Sequence, residues 1–185
     1  MDFKPTNMKV DFNEFLSSSA KCMKPSAIRA LLSVVNQPGV ISFAGGFPNP
    51  ETFPIEDLKT IMMEVLEEEG AKALQYGGTD GNWALREELA KRYVNEGLDI
   101  DKDNIIITTA SQQAIDLTAK VLLDPGDIVI CGLPSYLGAL QSFRSYRADI
   151  RGIAHDDDLE TFRSSYEDAI ARVKEDGKVV KFLYM

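Results

Sequence analysis

The sequence predicts an α/β protein, a three-layer αβα sandwich on a mainly parallel sheet. Three observations predict it. From Asn104 onward, short apolar runs alternate with single helical stretches. Strands separated by one helix each demand crossover connections, and hence parallel pairing. The runs are continuous rather than alternating, as in strands buried on both faces. Several end in loops with polar or aromatic residues, at the strand ends where open α/β sheets bind ligands.

The elements follow in order. Residues 1–24 are polar and mixed and read as an arm. Pro25 to Asn36 reads as a short helix, with Pro in its first turn and Ile28, Leu31, Leu32 and Val35 at helical spacing. Pro38-Gly39 stops it. The segment Ile41-Ser-Phe-Ala-Gly-Gly-Phe-Pro-Asn-Pro50 is a loop whose glycines allow close approach to a ligand. A helix is expected from Ile55 to Glu69, closed by Gly70. A second glycine loop, Gly77 to Gly81, precedes a helix capped by Asn82. That helix runs through Asn95, carries Leu85, Leu89 and Tyr93 on one stripe, and ends at Gly97.

The alternating region then reads as strand Ile105–Thr109, helix Ser111–Leu123, a turn over Asp124-Pro-Gly-Asp127 and strand Ile128–Cys131. Helix Leu137–Arg147, strand Asp149–Ile153, helix Leu159–Glu175 and strand Val179–Met185 complete it. The chain stops at the end of a core strand, where domains rarely stop. It is expected to be truncated, with further sequence beyond Met185.

Composition excludes several function classes. The 185 residues carry a net charge of −9, which argues against nucleic acid or an anionic membrane as the main partner. No apolar run approaches the roughly 20 residues that span a bilayer. The opening Met1-Asp-Phe-Lys-Pro-Thr has no signal-peptide core. Cys22 and Cys131 form no metal or redox spacing, and both are expected free in a reducing compartment. A cytoplasmic protein is expected. His155 is the only histidine; with Asp156-Asp157-Asp158 it reads as a solvated acidic loop, and no metal site is expected.

Chemistry concentrates at a few positions. Ser111 is expected at the N-cap of its helix, where unpaired N–H groups and partial positive charge hold a phosphate. Gln112 adds an amide donor. Tyr136, in the loop after the next strand, can stack on a flat ring. Together they suggest a phosphorylated, planar cofactor. Tyr76, beside the second glycine loop, can bring its hydroxyl to a phosphate. Arg29, in the first helix, suits a substrate carboxylate. Each also has a plainer reading, as a helix cap, a loop tyrosine, turn glycines or a solvated arginine. No GxGxxG or P-loop pattern is present.

Five segments arrive in order: Ile41 to Pro54, Leu74 to Ala90, Ile107-Thr-Thr-Ala-Ser-Gln-Gln113, Asp124-Pro-Gly-Asp127 and Leu133-Pro-Ser-Tyr136. With them the chain resembles the N-terminal half of class I/II pyridoxal-phosphate aminotransferases. It looks most like the 2-aminoadipate, kynurenine and aromatic amino-acid group. The resemblance implies the large domain of that fold, with residues 1–50 as arm and substrate loop and 51–185 as a partial cofactor-binding domain. It implies that Ser111 and Gln112 bind the phosphate of pyridoxal 5'-phosphate and that Tyr136 stacks on its ring. Tyr76 then reaches the cofactor of a neighbouring subunit, in a homodimer with shared active sites. Gly46 lies over the substrate, and Arg29 meets its distal group. Relatives often carry Gly at position 110, where this chain has Ala.

The implied activity moves an amino group from an amino acid to a 2-oxo acid. The family also needs a Schiff-base lysine, an aspartate at the pyridine nitrogen and a carboxylate-binding arginine. No lysine here matches that motif, so the chain alone is expected to be inactive and to hold no catalytic residue of its own. Two alternatives share the fold: a ligand-sensing domain without catalysis, and another reaction on the same cofactor, such as a lyase or decarboxylase.

Overall fold

A computed structural model describes residues 11–23, 39–41, 46–154 and 158–185. The backbone forms two compact units, one of residues 1–27 with 110–185, the other of residues 28–109.

The first unit holds the sheet. It begins with a single turn at Phe12–Phe15 and a short helix α1 (Ser18–Cys22), capped by the Ser17 hydroxyl, which accepts the Ala20 N–H at 3.1 Å. The unit's other elements lie beyond residue 109, after two helices that belong to the second unit: α2 (Ile55–Ala73) and α3 (Trp83–Asn95). They are α4 (Ala110–Leu122), β1 (Ile128–Leu133), α5 (Leu137–Ser145), β2 (Asp149–Ala154), α6 (Leu159–Glu175) and β3 (Val180–Tyr184). The strands pair in parallel in the order β2-β1-β3.

β1 is the centre, and its residues Ile128 to Cys131 are fully buried. Its side chains alternate between two cores, as a pleated strand requires. Val129 and Cys131 join Ala119 and Leu123 of the α4 region and Ala139, Leu140 and Phe143 of α5. Ile128 and Ile130 join Ile153 and Val173, with Phe162, Tyr166, Ala169 and Ile170 of α6 packed against them. The spacing 162, 166, 169, 170, 173 is the apolar stripe of a helix lying on a sheet. Helices thus cover both faces of the sheet, which is the expected three-layer α/β arrangement. The alternating elements past Asp127 stand close to the expected bounds, and α6 matches them at both ends.

A charged clasp closes the end where β2 and β3 begin. Arg151 Nε and Nη2 donate to Asp149 at 3.0 and 2.9 Å. Arg151 also reaches Asp176 at 3.3 Å, Lys178 reaches Asp149 at 3.3 Å, and Lys181 lies 3.2 Å from Asp127. The Arg151 guanidinium, with Lys178, holds the Asp149 carboxyl below the ordinary aspartate range.

The second unit departs more from expectation. α2 runs past Gly70 to Ala73 rather than ending at Glu69. Gly70 does not take the left-handed conformation of a helix stop; the irregularity falls on Glu69 instead, at φ −129° and ψ 16°. α3 starts as expected, with Asn82 Oδ1 accepting the Ala84 and Leu85 N–H groups, and Gly97 follows its end at φ +94°. Its buried positions are Arg86 and Ala90, while Leu85 and Tyr93 of the expected stripe are exposed. The segment Ile105–Thr109 is not a strand. Ile105 is extended, but the segment joins no sheet among the described residues; the Ile107 N–H donates to the Asp80 carbonyl at 3.0 Å. An extended segment becomes a strand only where a neighbour offers its hydrogen-bonding edge. The expected helix Pro25–Asn36 lies outside the described residues.

Candidate functional site

The site is built where β1 ends. Past Leu133 the chain turns through Pro134 and Ser135, whose hydroxyl donates to the Gly132 carbonyl, and Tyr136 stands as the residue before α5. Two residues on, Gly138 has no side chain, and the space a Cβ would need is occupied. A Cβ there would lie 2.6 Å from Tyr136 Cε1 and Cζ and closer still to Gln112 Oε1. The glycine therefore lets one edge of the tyrosine ring and the glutamine amide converge on a single point. Half of Tyr136 remains exposed.

Gln112 is tied to α5. Its Nε2 donates to Ser142 Oγ at 2.9 Å and to the Gly138 carbonyl at 3.3 Å. One turn further along α4, Asp116 Oδ2 accepts the Tyr146 hydroxyl at 3.2 Å. Residues 112 and 116 share one face of α4, and 138, 142 and 146 share one line along α5 and its end. The two helices are thus joined by a polar ladder. Burial first, then the nearby Asp116 carboxylate, pushes the Tyr146 phenol above its ordinary value, so it stays a protonated donor to Asp116. The Met23 side chain and Gln141 join the lining of the cleft beside this ladder, about 350 Å³ in volume.

Ser111 is exposed in the first turn of α4 rather than at its N-cap, because the helix begins one residue earlier, at Ala110. Ala110 enters it at φ +58°, in the left-handed region. Ser111 and Gln112 thus stand in the first turn of a helix, the end that carries partial positive charge.

Tyr76 and Gly46 belong to the other unit. Tyr76 is 99% exposed, at the entrance to the 77–81 loop. Gly46 is exposed at φ +59°, with open space where a Cβ would stand. Arg29, the Phe43 part of the substrate loop, and the His155–Asp157 stretch lie outside the described residues. Among the described residues no group of three His, Cys, Asp or Glu side chains is placed to hold a metal ion, and no helix is long and apolar enough to cross a membrane.

Two further positions emerge from the geometry. Gly138 organises the Tyr136–Gln112 meeting, and Arg86 organises the 77–81 loop through Asp80 at 2.6 Å. Sequence reasoning passes over both. An Arg on a helix usually means a solvated cation, and a glycine one residue into a helix reads as a weak helix former. The available signal is proximity to a loop already of interest, six residues from Asp80 and two from Tyr136.

A model of the family "Aminotransferase class I and II" matches residues 39–185. The chain is 42% identical over 177 residues to aromatic-amino-acid aminotransferase 1 of Thermococcus litoralis, covering 95% of this chain and 42% of that one. It is 42% identical over 135 residues to the 2-aminoadipate transaminase of Thermus thermophilus, covering 73% of this chain and 33% of that one. Its fold is similar to the crystal structure of Pyrococcus horikoshii kynurenine aminotransferase in complex with PMP. The TM-score is 0.83 at 41% identity, over 95% of this chain and 43% of that one. The chain thus spans less than half the length of these relatives.

Proposed function

From the premise that this chain belongs to the class I and II aminotransferase family, we propose that it is the N-terminal part of a pyridoxal 5'-phosphate-dependent amino-acid aminotransferase. The observation that carries the proposal is the convergence of Gln112 and Tyr136 on Gly138, at the end of the buried central strand.

The residues present fit a phosphorylated ring. The exposed Ser111 hydroxyl offers a donor to the phosphate at the positive end of α4. At a helix start such an anion gains roughly 0.3–1 kcal/mol from the dipole, up to about 2 when partly buried. Tyr136 offers a ring whose edge is already fixed against Gly138, so little rotamer freedom is lost on stacking. Gln112 holds the first turn of α4 beside that ring by its bonds to α5. When bound, pyridoxal phosphate supplies the carbonyl carbon that accepts the amino group and the electron-withdrawing ring that eases proton loss from the substrate. This chain's part is to anchor the phosphate and to set the plane of the ring.

The same proposal takes Tyr76 as a ligand to the phosphate of a partner subunit, in a homodimer, and residues 1–50 and 51–185 as arm with substrate loop and cofactor domain. Gly46 and Arg29 are assigned to the substrate. The amino donor is a long or aromatic amino acid, as the relatives' names suggest, and the acceptor a 2-oxo acid. The covalent lysine comes from the part of the relatives that this chain does not cover. The chain by itself therefore does not turn over, and we place the parent in the cytoplasm.

Titration of the chain with pyridoxal 5'-phosphate and with pyridoxal tests the reading. The phosphate ester is expected to bind at least about tenfold tighter, since the phosphate makes the anchoring contacts. Equal affinity for the two would sink the phosphate site. A transamination assay on the same sample is expected to show no turnover.

A further inference from the structure

Among the described residues Arg86 is the only buried charged residue. Its guanidinium leaves α3 toward the loop that precedes the helix. Nη2 lies 2.6 Å from Asp80 Oδ2, and Nη1 donates to the Lys102 carbonyl at 3.1 Å and stands 3.8 Å from Asp103 Oδ1. Nε is buried without a hydrogen-bond partner among the described residues. Burying a guanidinium is costly unless acceptors surround it, so its place is fixed by Asp80 and the Lys102 carbonyl together.

Asp80 is held at three points. Arg86 takes one carboxylate oxygen. The other, Oδ1, lies over Gly78, where a Cβ would come within 2.6 Å of it. The backbone carbonyl accepts the Ile107 N–H at 3.0 Å. The next residue, Gly81, sits at φ +98° against Ile107, and a Cβ there would fall 2.5 Å from the Ile107 Cβ. These contacts tie Asp80 and Gly81 to α3 and to Ile107, and Tyr76 enters the loop fully exposed.

We propose that Arg86 is a positioning residue. By clamping Asp80 it fixes the loop, and so the direction in which Tyr76 presents its hydroxyl. Arg86 itself touches no phosphate. The inference rests on the proposed role of Tyr76 as a phosphate ligand.

Amide hydrogen exchange at Ile107 and the dissociation constant for pyridoxal 5'-phosphate test it. Both are measured on the 185-residue chain for Arg86→Gln, Arg86→Lys, Asp80→Asn, Tyr76→Phe and the double variant Asp80→Asn/Tyr76→Phe. Anisotropy of Trp83, the only tryptophan, reports loop mobility in parallel. Arg86→Gln and Asp80→Asn are expected to speed exchange at Ile107 by about tenfold and to weaken cofactor binding several-fold, with Arg86→Lys recovering much of both. In the Tyr76→Phe background, Asp80→Asn is expected to cost nothing further. Unchanged exchange in Arg86→Gln overturns the clamp. An affinity loss that persists in full without the tyrosine hydroxyl overturns the positioning role and leaves a merely structural one. Should Arg86→Gln fail to fold, Asp80→Asn decides, because Asp80 is half exposed. Normal affinity in Tyr76→Phe alone refutes the Tyr76 reading, and is told apart because Arg86 is intact.

Discussion

The Gln112 side-chain amide donates to the Ser142 hydroxyl at 2.9 Å, across the gap between two helices that cover the same face of the sheet. The residue proposed to help anchor a phosphate is therefore also a bolt between α4 and α5. The two roles separate by variant. Gln112→Ala removes both bonds of the amide, and a partly buried hydrogen bond contributes about 0.5–1.5 kcal/mol. The unfolding free energy from urea titration is expected to fall by about 0.5–1.5 kcal/mol per bond lost. Ser142→Ala loses a similar amount, and the double variant loses less than the sum. Full additivity would show that the bond contributes nothing to stability.

Ala110 offers a stabilising change. Its φ of +58° sets its methyl in the left-handed region, which costs a non-glycine residue roughly 1–2 kcal/mol. Glycine removes that strain and adds about 0.5–1 kcal/mol of backbone entropy cost. The relief of strain outweighs the lost entropy, so Ala110→Gly is expected to raise stability by about 0.5–1 kcal/mol in urea unfolding. A lower midpoint would refute the strain.

Acid unfolding follows from the charged clasp and the caps. The carboxyls of Asp149, Asp127 and Asp158 are held below the ordinary 3.8, chiefly by Arg151, the Asp124 N–H and Thr161 respectively. A depressed folded value means the stabilisation is whole above 3.8 and is lost as pH falls through the lower folded values. Denaturant midpoints are expected to drop in that window. Asp149→Asn flattens the drop and lowers stability at neutral pH. An unchanged acid profile in that variant would remove Asp149 from the account.

The two cysteines report on packing. Cys131 is fully buried, and burial pushes its thiol up to about 11, whereas Cys22 is exposed. Native chain at neutral pH is expected to release one fast equivalent to a disulfide reagent, and the second only in denaturant. Two fast equivalents would mean that β1 is accessible to solvent.

Much of the sheet unit is legible in the sequence because its signals are local. Val129 and Cys131 face one way and Ile128 and Ile130 the other by pleat alone, and the periodicity gives α6 its bounds, with Asp158 of the acidic loop capping it at Thr161. The misses concern what only a partner decides. Ile105–Thr109 has the composition of a strand, yet pairing depends on an edge elsewhere. Gly70 has the identity of a helix stop, but the backbone takes no left-handed turn there. At the proposed site, places at a helix start and after a strand, with the family motifs, single out Ser111, Gln112 and Tyr136, and Ser111 stands in the first turn rather than at the cap. Gly138 and Arg86 stay hidden in the sequence because their importance lies in contacts across space with the residues it does single out.

The aromatic cluster around Phe143 bears on how the chain is made. Its ring, 2% exposed, meets Phe182 and Tyr184 edge-on at 5.4 Å each, and both partners sit on β3. Synthesis is vectorial, so Phe143 leaves the ribosome well before either of them. A nascent chain that has reached only α6 shows this ring without its aromatic cover, on a sheet whose central strand still lacks a neighbour. That interval closes once Tyr184 clears the exit tunnel.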